Sequence, residues 1–180
     1  MDRAGVDLAA HIGFALPLGG LAQGLQISDG LSGAIPLGLE LALRANKNVA
    51  LGLGFELAPA VTKNCDPGST CSGTDYRLSV EAIFTSRAGM GVDPWLALGV
   101  GYEWLELSES GSPDLELTGW DYANIAVGGE IRGDQCGLSP FAGVSIGEYT
   151  SGSAGGATGN VTNPSLHVWL QFGLRGVVNL

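Results

Sequence analysis

Long apolar runs are missing from this chain. No stretch of roughly 18 apolar residues occurs, so no transmembrane helix can be drawn. Basic residues are scarce: eight Lys and Arg stand against 18 Asp and Glu, a net charge of −10 at pH 7. Nucleic acid is excluded as a partner, because phosphate binding needs clustered cations. Histidine occurs only at His11 and His167. No Gly-x-Ser-x-Gly, Walker-type loop or His-Glu-x-x-His occurs. Thirty glycines show no strict period, which rules out collagen and suits strands and turns. No export signal precedes the first strand pattern, so the sequence reads as a mature chain behind a start Met1.

Cysteine is rare as well. Cys65 and Cys71 sit six apart in a loop with Asp66, Pro67 and Gly68. That spacing suits a loop disulfide formed in an oxidising compartment. Two free thiols, or half a zinc site, are the alternatives, and no His or third Cys lies nearby to complete a site. Cys136, near an expected turn, is left over as a buried small side chain or a free thiol.

What the chain does have is alternation. In its last segment Leu166, Val168, Leu170, Phe172, Leu174, Val178 and Leu180 share one parity, and His167, Trp169, Gln171, Gly173 and Arg175 share the other. That is a strand with one apolar and one polar face. Eight such segments are expected, near 5–16, 33–44, 48–58, 75–86, 94–107, 116–132, 138–149 and 166–180. They are longer than ordinary globular strands, whose mode is about 5–6 residues. They match the roughly 9–11 residues that cross a bilayer at a tilt. Connections near 17–32, 59–74, 108–115 and 150–164 are long, and those near 45–47, 87–93 and 133–137 are short. Long outside and short inside is the layout of bacterial outer-membrane barrels, with both termini in the periplasm.

An open sheet in lipid would leave a row of unpaired backbone groups. The predicted fold is therefore a single domain over 1–180: an all-β, closed, antiparallel, up-and-down, eight-stranded transmembrane β-barrel. Eight strands leave a lumen just wide enough for side chains. The inward parity holds Asp7, Glu40, Arg44, Glu56, Arg77, Glu81, Glu103, Glu130, Arg132 and Arg175, with His11 and His167. A buried charge needs a partner, so these residues are expected to form an interior network that fills the barrel. A hairpin centred near Gly89–Met90 sets Arg77 opposite Glu103, and strand closure sets Arg175 near Asp7. In the sixth segment Asp121 carries the lipid-facing parity, tolerable only at the outer rim, and Glu148 raises the same issue in the seventh. Tyr76, Tyr102, Trp104, Trp120 and Tyr149 gather toward the loop side, with Trp95, Trp120 and Tyr149 on the inward parity.

The whole chain resembles the small eight-stranded outer-membrane β-barrels, the OmpA/OmpX-like class. Pro94-Trp95-Leu96-Ala97-Leu98-Gly99-Val100-Gly101-Tyr102-Glu103-Trp104 looks like a strand of this class. The class tends to end in an aromatic residue read by the assembly machinery; here Leu180 stands in that place. The resemblance implies an outer-membrane location. Expected partners are membrane lipid and lipopolysaccharide and the outer-membrane assembly machinery, with the barrel a monomer.

The lipid-facing set is nearly free of Ser, His, Asp and Glu, so no enzyme is expected. Glu106, Glu109, Asp114 and Glu116 make an acidic run of the kind calcium takes. A solvated extracellular loop is the favoured account of it, and no catalytic, metal or cofactor site is assigned. The expected function is a non-enzymatic barrel with a structural, anchoring or loop-mediated adhesion role. The alternatives are a narrow pore or transporter of small or hydrophobic molecules, and a soluble lipocalin-like ligand-binding barrel.

Overall fold

The computed structural model describes residues 5–22, 24–63, 69–86, 91–133 and 135–180. Its elements run β1 (Gly5–Ala22), β2 (Leu25–Gln26), α1 (Ile27–Gly30), β3 (Leu31–Ala34), β4 (Leu37–Asn46), β5 (Val49–Thr62) and β6 (Cys71–Thr85). They continue with β7 (Val92–Glu109), β8 (Leu115–Arg132), β9 (Cys136–Ala154), β10 (Ala157–Asn160) and β11 (Leu166–Asn179). Each stave pairs antiparallel with the next, and β11 returns to β1 from Asp7↔Asn179 to Gly19↔His167. The ring is closed, so no sheet edge faces lipid.

The expected single second strand is two pieces. β3 and β4 form one stave interrupted at Ile35–Pro36, where proline has no N–H to give the ladder. The break is bridged from both sides: Gly13 N–H donates to the Pro36 carbonyl at 3.1 Å, and Ile35 N–H to the Pro59 carbonyl at 2.9 Å. Several segments expected as loops are strand. β1 runs on to Ala22, and β9 to Ala154, where β10 pairs with it. The adjacent β7, β8 and β9 have 18, 18 and 19 residues, against 14, 15 and 14 in β5, β6 and β11, and β1 has 18. One side of the barrel is therefore tall.

The wall decides which side is wet. Leu41 and Leu43 are 50% and 63% exposed, while Ala42 between them is fully buried. Leu39, Leu51, Leu53, Val80 and Val100 are exposed in the same way, and Glu40, Glu56, Arg77, Glu103 and Arg175 are buried. A soluble lipocalin-like barrel would show the reverse, so that alternative is rejected. An apolar belt of this extent is stable only against hydrocarbon.

In β8 the expected parity fails. Between Asp121 and Ala123, β8 carries one residue more than either neighbour, a β-bulge in both of its ladders. An extra residue reverses the faces beyond it. Asp121, expected toward lipid, is buried in the lumen, and Trp120 and Tyr122, expected inward, point out. Glu148 does lie on the outer face, level with exposed Trp120 and Leu166 on its two neighbours. The outward aromatics Tyr76, Tyr102, Trp104 and Trp120 pack against one another along β6, β7 and β8, at 5.2–6.2 Å between rings. They mark the belt's upper border on the tall side.

Candidate functional site

The lumen is the place where this fold gathers its polar chemistry, and it is filled in layers. At the outer mouth the segment after β2 folds inward as the single turn α1. Asp29 accepts the Gln26 backbone N–H at 3.2 Å, closing that turn. Ile27 and Leu31, each 1% exposed, then pack on Leu21, Leu105, Leu117, Tyr149 and Trp169. These plug residues lie in a segment without periodicity, so the sequence pattern did not mark them.

Below the plug sits a network centred on Arg77 and Glu103. Their strands pair with Arg77 directly opposite Glu103, as the hairpin register predicted. Four carboxylates surround the one guanidinium: Asp75 at 2.7 Å, Glu103 at 3.4 Å, Glu56 at 3.6 Å and Asp121 at 3.8 Å. The Arg77 guanidinium also lies 5.0 Å over the Trp169 ring. Glu103 Oε1 accepts from the Tyr149 hydroxyl at 2.6 Å and the Trp169 indole N–H at 3.1 Å. Its Oε2 lies 2.7 Å from His167 Nε2. Glu56 takes His11 at 2.9 Å and the Gln171 amide at 3.0 Å. A carboxylate with several donors is held in one orientation.

Further in, a cavity of about 90 Å³ is bordered by Glu40, Glu81, His11, Ser79, Asn124 and Arg175. It holds room for a few water molecules. Glu81, half-buried, accepts the Ser79 hydroxyl at 2.7 Å, and forms no ion pair among the described residues. Trp95, with Ala97, Ile83 and Phe141, packs the next level. There a Cβ on Gly128 would stand 2.7 Å from the Trp95 ring, so only glycine fits that wall position. Trp95 Nε1–H donates to Ser139 Oγ at 2.7 Å.

Arg175 corrects the expected pairing. Its β-partner is His11, and its guanidinium reaches past that residue to Glu40, with contacts of 2.6 Å and 3.3 Å. It also covers the Trp95 ring at 5.1 Å. Asp7 instead takes Arg44, which also bonds Asn179. Glu130 lies at the inner mouth, where Arg132 joins it at 2.9 Å and Asp93 at 3.1 Å. The network is thus four groups rather than one: around Arg77, Arg175–Glu40, Arg44–Asp7, and Arg132 with Glu130 and Asp93. Sequence reasoning missed Asp75, Asp93 and Asp121. Asp75 and Asp93 share the parity of Arg77 and Trp95: Asp75 opens the expected segment 75–86, and Asp93 lies one residue before the segment 94–107. Arg44 at the mouth keeps 18% of its side chain exposed, so its pair with Asp7 is partly screened. Arg44→Gln is expected to cost under about 1 kcal/mol in denaturant unfolding.

Cys71 opens β6; Cys65 lies outside the described residues, and so does the expected pairing between them. Cys136 is an exposed free thiol at the start of β9, rather than a buried small side chain.

A closed eight-stave wall with an apolar exterior and an ionic, side-chain-filled interior is the build of an integral outer-membrane β-barrel. Solved structures agree on the fold. Neisserial surface protein A superposes at TM-score 0.62 with 12% identity, covering 97% of each chain. The outer membrane protein OprG of Pseudomonas aeruginosa gives TM-score 0.60 and 11% identity over 99% of this chain and 98% of its own. The attachment invasion locus protein Ail of Yersinia pestis, in complex with the heparin analogue sucrose octasulfate, gives 0.52 and 11% over 96% and 99%. No protein-family model matches the sequence, and no curated protein does.

Proposed function

We propose that this chain is a non-enzymatic outer-membrane barrel that anchors a surface wall for contact outside the cell. One observation carries the reading: at the level of Glu103 the cross-section is filled. Ala15 of β1, Ala34 of β3, Ala58 of β5, Asp75 of β6, Tyr149 of β9 and Trp169 of β11 are all 2% exposed or less. Leu105 and Asp121 add β7 and β8 at no more than 1%. Every stave contributes to the plug, and both histidines are engaged by glutamates.

The tall side supplies the contact surface. A 19-residue strand spans roughly 60 Å along its axis. Even tilted by about 45° it overreaches an apolar band of about 25 Å. Beyond the aromatic border the β7–β8 arm carries Glu106 directly across from Glu116. Such a surface repels polyanions, so the heparin-like ligand seen on Ail does not transfer; a cationic or neutral partner fits. The termini lie in the periplasm and the barrel works as a monomer in lipopolysaccharide-bearing lipid, inserted by the outer-membrane assembly machinery.

The competing reading is a narrow pore. Reconstituted into planar bilayers, the protein is expected to give no discrete conductance steps. Stable unitary currents at neutral pH would replace the anchoring role with transport.

A further inference from the structure

The acids around Arg77 are more than one guanidinium can neutralise. Glu56, Asp75, Glu103 and Asp121 all lie within 4 Å of it. Three neighbouring groups in this layer have metal-ligand chemistry. Glu103, Asp121 and His167 each bring one donor atom within 4.8 Å of the other two, and all three are buried. They come from β7, β8 and β11, and positions 103, 121 and 167 form no sequence motif.

Although Glu103 Oε2 contacts His167 Nε2 at 2.7 Å, this cluster keeps buried donor atoms without hydrogen-bond partners. Asp121 is 1% exposed, and its Oδ2 has no hydrogen-bond partner among the described residues. His167 Nδ1 is buried without one as well. Gly147 leaves space between these side chains: a Cβ there would stand 2.8 Å from Asp121 Oδ1 and 3.0 Å from His167 Nε2. The carboxylates are also oriented. Tyr149 and Trp169 occupy Glu103 Oε1 and leave Oε2 turned to His167. Ser145 donates to Asp121 Oδ1 at 3.3 Å. Outer hydrogen bonds of this kind fix metal ligands in place.

We propose that Glu103, Asp121 and His167 bind one divalent transition-metal ion. One imidazole nitrogen and two carboxylates are a donor set that Zn²⁺ accepts, with a fourth position open to water. Arg77 keeps Asp75 at 2.7 Å, so it need not leave when Glu103 and Asp121 turn to the ion. Ser145, which donates to Asp121, also borders the cavity below.

The test uses untagged full-length protein refolded in detergent, stripped with a chelator and titrated with Zn²⁺. Metal is measured after equilibrium dialysis. Retention of one equivalent per barrel is expected. Asp121→Asn, which keeps shape, lowers the affinity by roughly tenfold or more, and His167→Gln does the same. Glu106→Gln with Glu116→Gln leaves it unchanged. Heat-modifiable gel migration shows that each variant is folded. If a variant fails to fold, Co²⁺ loaded into the unmodified protein answers instead: a tetrahedral visible spectrum is expected. An octahedral aqua-like spectrum, no stoichiometric Zn²⁺, or full-affinity binding by Asp121→Asn would each overturn the site.

Discussion

Replacing Arg77 by methionine is expected to destabilise the barrel by about 3–5 kcal/mol, the usual loss when one partner of a buried ionic group is removed. The side chain of Arg77 is enclosed at the middle of the plug, and four carboxylates converge on it. Methionine keeps most of the volume and the apolar stem, so little packing is lost. What remains is Asp75 and Glu103, both fully buried, with no cation at 2.7 Å and 3.4 Å. Unfolding in urea, followed by tryptophan emission in lipid, measures the loss. Adding Glu103→Gln removes one of the stranded charges, so the double variant is expected to recover part of the stability of Arg77→Met. A loss below about 1 kcal/mol, or simple additivity with Glu103→Gln, would mean that the acids do not lean on this guanidinium.

The contrast with Arg175 shows how far the sequence could be read. Strand parity is a local property: Glu40, Glu56, Glu103 and Glu130, which it turns inward, are buried, and Glu81 borders the cavity. Hairpin register is nearly local, and it set Arg77 opposite Glu103 across one turn. Arg175 obeys the first rule, being buried in the lumen, but not the second. Its level is shared with His11 and Gly38 on the next two staves, and the long side chain extends across them to Glu40. Contacts two staves apart depend on barrel shear, which no single strand encodes. The bulge in β8 was hidden for a different reason. An inserted residue leaves the alternation intact on each side, so Asp121 and Trp120 read as members of a regular strand with their faces exchanged. The plug was invisible because Ile27 and Leu31 lie in a short folded-in segment that obeys no period. Loops came out shorter than expected, since the Gly- and Ser-rich ends of β9 pair as well as apolar ones do once a neighbour is in place.

Arginine at Val100 tests the wall itself. Val100 lies midway along β7, is 56% exposed, and faces Val80 on β6. If this surface meets hydrocarbon, Val100→Arg, two residues inside the Tyr102 border, costs about 1–3 kcal/mol, between the interfacial and midplane values. The same substitution at Val92, at the inner end of the strand, costs about 0–1 kcal/mol, because the guanidinium can reach the headgroups there. Both sites are outward-facing and bear the same residue type, so strand propensity and side-chain volume cancel in the comparison. Only depth differs. Unfolding free energies in phosphatidylcholine vesicles give the two values. In water the ordering would vanish, since an exposed valine replaced by arginine on a wet strand changes stability by a few tenths of a kcal/mol at most. Equal costs at the two positions would therefore remove lipid from the outside of this barrel, and the ionic interior would lose its reason to be enclosed.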